Sequence, residues 1–505
     1  TDSFNTAVGF SAGTAVTTGI QNTIMGGLAG VALTDADNNV AIGASALTSD
    51  TLGSSTIAIG FGALFSQNFT SATNTYNVAV GHNAGLLVTT GVSNTLIGGL
   101  AGDALTDADF NVAVGKFALS TDTLGSKSVA IGTSALLTQN FTSATDAFNT
   151  AVGFNVGVLI TTGTQNTLIG GLAGDALTAA FENVAIGYEA QTTDTLGRRT
   201  VAVGNGALQT QNFTTATNSY NTAVGYDAGT AVTTGINNTI IGGLAGDALT
   251  DADDNVAVGY LALSTSILGS RNTAVGSNAL FASNPASAVS TYNTGVGYHA
   301  GRLINTGVNN TLIGGLAGDA LTTGGNNVAI GYQAHSTDDL GSRNVSVGAE
   351  ALSDMNFASA TDSYNVAVGD QAGKRVTTGV QNTLIGGLAG DALTDADFNV
   401  AVGVGSLGIC VLGSRNTAIG TATLANTNPS SAANMLNTAV GYAAGFNVTT
   451  GTNNLILGND SGRSGAPGGA ITTGSNIICL GDDDIATAHI QVDWTVASDA
   501  RDKAD

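Results

Sequence analysis

A five-residue motif returns every 72 residues along this 505-residue chain. It reads Asn-Thr/Val-Ala/Gly-Val-Gly and begins at Asn5, Asn77, Asn149, Asn221, Asn293, Asn365 and Asn437. Weaker copies begin at Asn22, Asn39 and Thr56, so one step contains spacings of 17, 17, 17 and 21 residues. A fixed short period is typical of proteins built from stacked repeats. Each 72-residue repeat is therefore predicted to contain four short coils.

The residue types of the motif predict strands. Small β-prone residues lie between turn residues, and no window keeps the apolar spacing of an amphipathic helix while avoiding glycine. The constant spacing predicts parallel stacking, with Val8, Met25, Ile42 and Ile59 in one column. The predicted fold class is all-β: a parallel β-solenoid or β-roll of 72-residue repeats, four coils each.

Two polar or flexible positions of the motif have structural explanations. The closing glycines, Gly9, Gly26, Gly43 and Gly60, indicate either a positive φ or close approach of another coil. The leading asparagines are expected to form a side-chain ladder along the stack and to satisfy turn backbone groups.

Composition limits the core and the partners. Apolar residues make up 43% of the chain but aromatic residues only 5%, which predicts a thin core of Ala, Val, Ile and Leu. The net charge of −23 argues against nucleic-acid binding. No apolar run approaches the length of a membrane span, so membrane insertion is not expected. Cys410 and Cys479 lack metal-site spacing and are interpreted as small buried apolar residues. No cofactor is predicted.

Aromatic residues recur at fixed places in the repeat. One precedes the first motif, and another follows its glycine in several repeats. The first set is Phe4, Tyr76, Phe148, Tyr220, Tyr292 and Tyr364, with Leu436 in the seventh place, and the second is Phe10, Phe154, Tyr226, Tyr298 and Tyr442. We interpret both as packing plugs, in preference to a sugar-stacking platform. The longer fourth coil is expected to bulge outward and expose Phe69, Phe141, Phe213 and Phe357.

A single solenoid of this kind is expected to be marginally stable. A 17-residue coil turns few apolar side chains inward, whereas ordering it costs on the order of 1.5 kcal/mol per residue. Burying a second apolar face against identical chains solves this, and a closed cyclic arrangement removes lateral edges. An intertwined homotrimer is therefore expected.

Candidate sites for chemistry are weak. The recurrent Gly-Gly-x-x-Gly is followed by another strand motif instead of a helix, which argues against a phosphate site. Asp103, Asp107 and Asp109 have spacing that suits Ca²⁺, but the third and fifth repeats lack the equivalent residues, so solvated acidic turns are the favoured interpretation. The four histidines, His82, His299, His335 and His489, occupy four different places in the repeat and are interpreted as scattered surface residues.

The motifs NTAVG, NVAIG and NVAVG resemble the head repeats of trimeric autotransporter adhesins, which form a left-handed parallel β-roll around a three-fold axis. They are also similar to repeats of phage and large-virus tail-fibre proteins. The resemblance covers residues 1 to about 460 and implies a trimeric fibre.

A second resemblance lies at the C-terminus. Residues 498–503, Ser-Asp-Ala-Arg-Asp-Lys, resemble the opening of the intramolecular chaperone domain of phage tail spikes, fibres and endosialidases. In that family the domain drives trimerisation and then cuts itself off. The resemblance implies that Ser498 and Lys503 carry this self-cleavage, the only enzymatic step expected of the chain.

These observations predict four segments: six tandem repeats (1–432), a partial seventh (433–470), a C-terminal trimer cap (471–497) containing Trp494, and the start of a truncated chaperone domain (498–505). The predicted function is the structural shaft of a viral tail or surface fibre that serves host attachment. The expected location is the virion surface, with partners that include other virion proteins and a host receptor or glycan. The alternatives are a bacterial trimeric surface adhesin and a polysaccharide-binding or polysaccharide-degrading tail spike.

Overall fold

The computed structural model describes residues 3–487 and 489. Two compact units divide the chain, Thr1–Thr323 and Gly324–Asp505. Every regular element in the described residues is a β-strand, and none of those residues is helical. This confirms the all-β prediction.

The first unit contains β1 (Thr6–Val8), β2 (Thr23–Met25), β3 (Val40–Ile42), β4 (Gly53–Ser54), β5 (Ile57–Ile59), β6 (Thr73–Asn74), β7 (Val78–Val80), β8 (Thr95–Ile97), β9 (Val112–Val114), β10 (Gly125–Ser126), β11 (Val129–Ile131), β12 (Thr145–Asp146), β13 (Thr150–Val152), β14 (Thr167–Ile169), β15 (Val184–Ile186), β16 (Gly197–Arg198), β17 (Val201–Val203), β18 (Thr217–Asn218), β19 (Thr222–Val224), β20 (Thr239–Ile241), β21 (Val256–Val258), β22 (Gly269–Ser270), β23 (Thr273–Val275), β24 (Val289–Ser290), β25 (Thr294–Val296) and β26 (Thr311–Ile313).

The second unit contains β27 (Val328–Ile330), β28 (Gly341–Ser342), β29 (Val345–Val347), β30 (Thr361–Asp362), β31 (Val366–Val368), β32 (Thr383–Ile385), β33 (Val400–Val402), β34 (Gly413–Ser414), β35 (Thr417–Ile419), β36 (Ala433–Asn434), β37 (Thr438–Val440), β38 (Leu455–Leu457) and β39 (Ile478–Leu480).

Within each unit the three-residue strands pair in parallel, each with the strand of the next coil. β1 pairs with β2, β2 with β3 and β3 with β5, which places Val8, Met25, Ile42 and Ile59 in one column as predicted. The two-residue strands add a second parallel pair once per repeat, for example β4 with β6. Each unit is therefore a parallel β-solenoid whose coils follow the spacing of the sequence motif.

The asparagine ladder is present and has two functions. Asn22 N–H donates to Asn5 Oδ1 at 2.8 Å, and Asn39 N–H donates to Asn22 Oδ1 at 3.0 Å. Asn22 Nδ2 in turn donates to the turn carbonyl of Ala36 at 2.8 Å. Each buried carboxamide thus satisfies backbone groups in two places, as backbone removed from water requires.

The motif glycine satisfies both predicted requirements at once. Gly115 has a φ of 135°, and a Cβ built on it would lie 2.5 Å from the carbonyl oxygen of Gly132 in the next coil. Any L-side chain there would be strained by the backbone and would also collide with main-chain atoms. The glycine column sets how closely successive coils approach.

The core is as thin as the composition suggested. The middle residue of nearly every three-residue strand points inward and is most often alanine, as at Ala41 and Ala58, both fully buried. Columns of buried Leu, Ile and Val complete the interior, for example Leu33, Leu47 and Leu64. Because strand residues alternate between faces, the first and third residues of each strand face outward.

The packing-plug interpretation of the aromatic residues is wrong for the single chain. Phe4 and Tyr76 are among the most exposed large side chains, and so is Phe10 after the glycine. The residue before each motif has a positive φ, 47° at Phe4 and 52° at Tyr76, and its side chain lies outside the coil.

The expectation for the longer fourth coil was half right. Residues 70–72 and 74 are exposed, so the backbone does bulge outward. Phe69, however, is only 6% exposed, and Phe141, Phe213 and Phe357 are similarly buried. The expectation that these phenylalanines are exposed is wrong. Their rings pack over the glycine of the preceding coil: a Cβ on Gly125 would lie 2.7 Å from Phe141 Cδ2.

The two cysteines are free and buried, as predicted. Among the described residues no helix is long and apolar enough to cross a membrane. Of the predicted cap, residue 488 and residues 490–497, which include Trp494, lie outside the described residues.

Candidate functional site

In each unit, the outward face of the strands carries a continuous apolar column. The third residue of every three-residue strand is Val, Ile, Leu or Met, and we call this column the outer stripe. Many of its members are more than a third exposed: Val8 is 55% exposed, and Ile169 and Ile241 are 38% and 39% exposed. Aligned apolar residues over so many coils exceed the scattered exposure normal for a soluble monomer. The outer stripe is therefore a candidate contact surface.

A second column lies just before the strands and combines aromatic with basic residues. Arg199 donates to Tyr220 Oη at 2.9 Å, one coil away, and pairs with Glu182 at 2.6 Å. Arg271 donates to Tyr292 Oη at 3.1 Å in the same way. The guanidinium groups lie over the rings, 5.8 Å from the Tyr220 centroid, in cation–π geometry. Tyr220 and Tyr292 thus form external pairs with basic residues and do not serve as internal plugs.

A buried polar cluster occurs once per repeat in the first three repeats. Asp50 Oδ2 accepts from Gln67 Nε2 at 2.7 Å, and Oδ1 accepts from the N–H groups of Gly53 and Phe69 at 3.0 and 3.2 Å. Gln67 Oε1 accepts from Asn77 Nδ2 at 2.9 Å, which links the cluster to the asparagine ladder.

The equivalent clusters of the second and third repeats contain Asp122 with Gln139 and Asp194 with Gln211.

The cluster changes in the later repeats. Ser266 and Ser283 replace the aspartate and glutamine in the fourth repeat, and neither hydroxyl has a hydrogen-bond partner in the described part of the chain. In the sixth repeat Cys410 and Thr427 take these places. Burial raises the pKa of the Cys410 thiol to about 11, so this cluster is uncharged at neutral pH.

The fifth repeat replaces the glutamine by Met355 and supplies a histidine instead. His335 and Asp338 are both fully buried, with Nε2 and Oδ2 3.2 Å apart. Burial raises the pKa of Asp338, but contact with His335 and the N–H groups of Gly341 and Leu340 outweigh it and leave the pKa below its ordinary value. The interpretation of His335 as a surface residue is therefore wrong.

Perturbed carboxyl groups often mark catalytic sites. Burial raises the pKa of the Asp50 carboxyl, against the opposing hydrogen bonds from Gln67, Phe69 and Gly53. Asp50, Gln67 and the linking Asn77 are nevertheless all fully enclosed, which leaves no access for a substrate. The cluster therefore joins adjacent coils and is not a candidate active site.

The calcium candidates are not brought together. Asp103 accepts from Ser120 of the next coil, whereas Asp107 and Asp109 accept from Thr90 Oγ1 and Val92 N–H of the preceding coil. Each carboxylate is thus used in a separate link between coils.

In the described residues, the three acidic side chains whose oxygens lie within 4.8 Å of one another are Asp482, Asp483 and Asp484, beside a shallow cleft lined by Asp460 and Arg463. All lie near the C-terminal end of the second unit. Ser498 and Lys503 lie outside the described residues, and their self-cleavage role stays a prediction.

No protein-family model matches this sequence, and no curated protein matches it. The interpretation of its surfaces therefore depends on the geometry described above.

Sequence reasoning missed the buried polar cluster and the direction of the aromatic side chains. A signal for the cluster was present: Asp, Gln and Phe recur together at 50, 67 and 69, and the aspartate and glutamine are lost together wherever the phenylalanine becomes Pro285 or Pro429. No comparable signal distinguishes an outward from an inward ring at a recurring position.

Proposed function

We propose that this chain is the shaft of a homotrimeric fibre on a virion surface that serves host attachment. Its partners are then two identical copies, other virion proteins and a receptor or glycan on the host. The role is structural and not enzymatic. The outer stripe is the observation that carries this proposal.

The physical argument starts from exposed apolar area. Stable protein interfaces bury about 800 Å² on each partner, and a stripe repeated at every coil of the first unit offers a surface of that order. A chain with a net charge of −23 stays soluble, but its apolar stripe is stabilised only when covered. An identical copy presents the same stripe at the same spacing. Three copies around one axis cover every stripe and leave no lateral edge, and the resemblance to trimeric adhesin heads favours this number.

Light scattering on the purified chain tests the assembly. The parent should have three times the 49.6 kDa mass of one chain. Ile169→Lys combined with Ile241→Lys places charges in the outer stripe and should give monomers. Leu159→Lys combined with Leu303→Lys is the matched control, since both residues are exposed but lie outside the stripe. A monomeric parent, or equal dissociation in both variants, contradicts the proposal.

Antibody labelling tests the biological setting. An antibody raised against the chain should decorate virions in immunogold electron microscopy. Labelling of a bacterial cell surface without virions would favour the adhesin alternative and contradict the viral assignment.

A further inference from the structure

Five aromatic side chains form an exposed ridge in the first unit. Each directly follows the glycine that comes after a three-residue strand, and each is between 52% and 61% exposed. We call this set the aromatic ridge, and it consists of Phe154, Tyr188, Tyr226, Tyr260 and Tyr298. A ring lies on every second coil.

The backbone holds the ridge in register. Leu172 N–H donates to the Phe154 carbonyl at 3.0 Å, Glu189 N–H to Gly171 at 3.1 Å, and Gly206 N–H to Tyr188 at 3.0 Å. The same ladder continues to Tyr298. Two stacked coils rise by about 9.6 Å, so the rings repeat at about that distance.

The positions between the rings carry small residues. They are Gly171, Asn205, Gly243 and Ser277. A Cβ on Gly171 would lie 3.6 Å from Tyr188 Cδ2, and one on Gly243 would lie 3.8 Å from Tyr260 Cδ2. Each of these rings therefore leans over the glycine of the preceding coil, and no large side chain separates one ring from the next.

Hydrogen-bonding groups border the rings. The carboxylate of Glu189, the next residue along the chain, raises the pKa of the Tyr188 phenol, and Asp227 does the same for Tyr226. Carboxylates next to aromatic faces suit a ligand that offers hydroxyl donors and apolar C–H faces together. The net charge of −23 disfavours polyanions, so a neutral ligand is complementary.

We propose that the aromatic ridge binds an extended, neutral β-1,4-linked polysaccharide, one ring to each disaccharide. Such chains are flat ribbons that present the same sugar face at every second residue, and their disaccharide is close in length to two coils. Five rings in line would engage five disaccharides, and many weak stacking contacts add when they lie on one rigid support. This inference rests on the proposed attachment role, for which it names the class of partner.

Binding of the full chain to cellulose and chitin particles, and to soluble cellohexaose by calorimetry, tests the ridge. Tyr226→Ala combined with Tyr260→Ala removes two central rings and should weaken binding about tenfold or more, the loss expected for two aromatic contacts. Tyr220→Ala combined with Tyr292→Ala is the matched control, because both rings are 53% exposed but precede the motif. The control should bind like the parent. Maltohexaose, which is α-linked and curved, should bind more weakly than cellohexaose.

Light scattering on the same samples separates the two proposals. A trimeric parent that does not bind any of these glycans overturns the ridge proposal alone. A monomeric parent that binds them overturns the trimeric shaft alone. If the ridge variant dissociates the trimer, the rings lie between copies, and the glycan assignment is overturned.

Discussion

The first and fourth repeats fold alike but differ inside. Asp50, Gln67 and Phe69 N–H form a connected cluster in the first repeat. The fourth repeat places Ser266, Ser283 and Pro285 there, and both hydroxyls are buried without a partner in the described residues. Proline has no N–H to donate. Pro285 therefore occurs in a repeat that also lacks the aspartate carboxylate, which accepts from this N–H in the first repeat. The three positions therefore change as a unit.

The sixth repeat supports this rule independently. Pro429 accompanies Cys410 and Thr427, again with neither the carboxylate nor the amide. The fifth repeat keeps both the aspartate and the phenylalanine, as Asp338 and Phe357, although Met355 replaces the glutamine. In these six repeats, an aspartate at the position of Asp50 thus occurs only where the next coil has a phenylalanine, whose backbone N–H donates to it.

The largest expected difference in stability between the two repeats comes from truncating Asp50 in the first repeat and Ser266 in the fourth to alanine. Asp50→Ala leaves the N–H groups of Gly53 and Phe69 buried without acceptors, at about 1–3 kcal/mol for each group. It also removes one of the two acceptors of the Gln67 amide, which keeps its hydrogen bond to Thr56 Oγ1. Ser266→Ala removes a hydroxyl that has no partner and should change stability by less than about 1 kcal/mol. Hydrogen exchange of the amides in the affected coils measures both changes. Equal losses would show that the first-repeat cluster contributes no more than the serines.

Transplanting the cluster should give a smaller, non-additive effect. Ser266→Asp alone buries a carboxylate that lacks both the amide and the backbone donor of the next coil and should cost about 2 kcal/mol. Adding Ser283→Gln and Pro285→Phe restores these donors, so the triple variant should be at least as stable as the parent. Denaturant unfolding of the three chains provides the measurement. Additive effects of the three substitutions would contradict the coupling.

Acid should affect the Asp50 and Asp338 clusters in opposite directions. Burial raises the folded-state pKa of Asp50, so its contribution to stability is fully present below the unfolded pKa of about 3.9 and is lost as pH rises through the folded pKa. The pKa of Asp338 is lowered, so its contribution is present above that unfolded value and is lost as pH falls through the folded pKa.

Hydrogen exchange measured between pH 3 and pH 6, compared at equal intrinsic rates, separates the two effects. On acidification the coils around Asp50 should gain protection and those around Asp338 should lose it. Asp50→Asn should remove the pH dependence of hydrogen exchange only in the coils around residue 50, and Asp338→Asn only in the coils around residue 338. Identical trends at both places in the parent chain would be inconsistent with the assigned pKa directions.

The smallest effect is expected at Cys410. Its thiol is fully buried and its pKa is raised to about 11, so alkylation of the native chain at pH 8 should be very slow. Cys410→Ser keeps the size of the group and should cost about 1 kcal/mol or less. Rapid modification of native Cys410, read by mass spectrometry, would show that the sixth-repeat cluster opens readily.

Much of the fold followed from the motif spacing. Placing the same residue at the same angle in every coil determines which strands pair and in what register, and it also determines where glycine must stand, as at Gly115. These properties depend only on period and on residue size.

The direction of the side chains did not follow from the spacing. An aromatic residue recurs with the same period whether its side chain points into or out of the coil. Tyr76 points outward because the residue before the motif has a positive φ. Phe69 faces inward because the neighbouring glycine leaves space for its ring. Asp50 is polar, yet hydrogen bonds from three different residues hold it inside the coil. Direction therefore depends on tertiary contacts that a period does not describe.

The asparagine ladder makes neighbouring coils almost interchangeable. If a folding chain paired one coil with the next but one, nearly the same backbone hydrogen bonds would form. The asparagine ladder alone therefore does not determine which coils pair. The Asp50 cluster does determine the pairing, because its aspartate and glutamine come into contact only when the third coil of a repeat packs on the fourth. The clusters of the fourth, fifth and sixth repeats each contain different residues, so they also distinguish one repeat from another. Making all six clusters identical should therefore increase the fraction of chains that refold out of register by a whole repeat, which protease mapping of the refolded product would reveal.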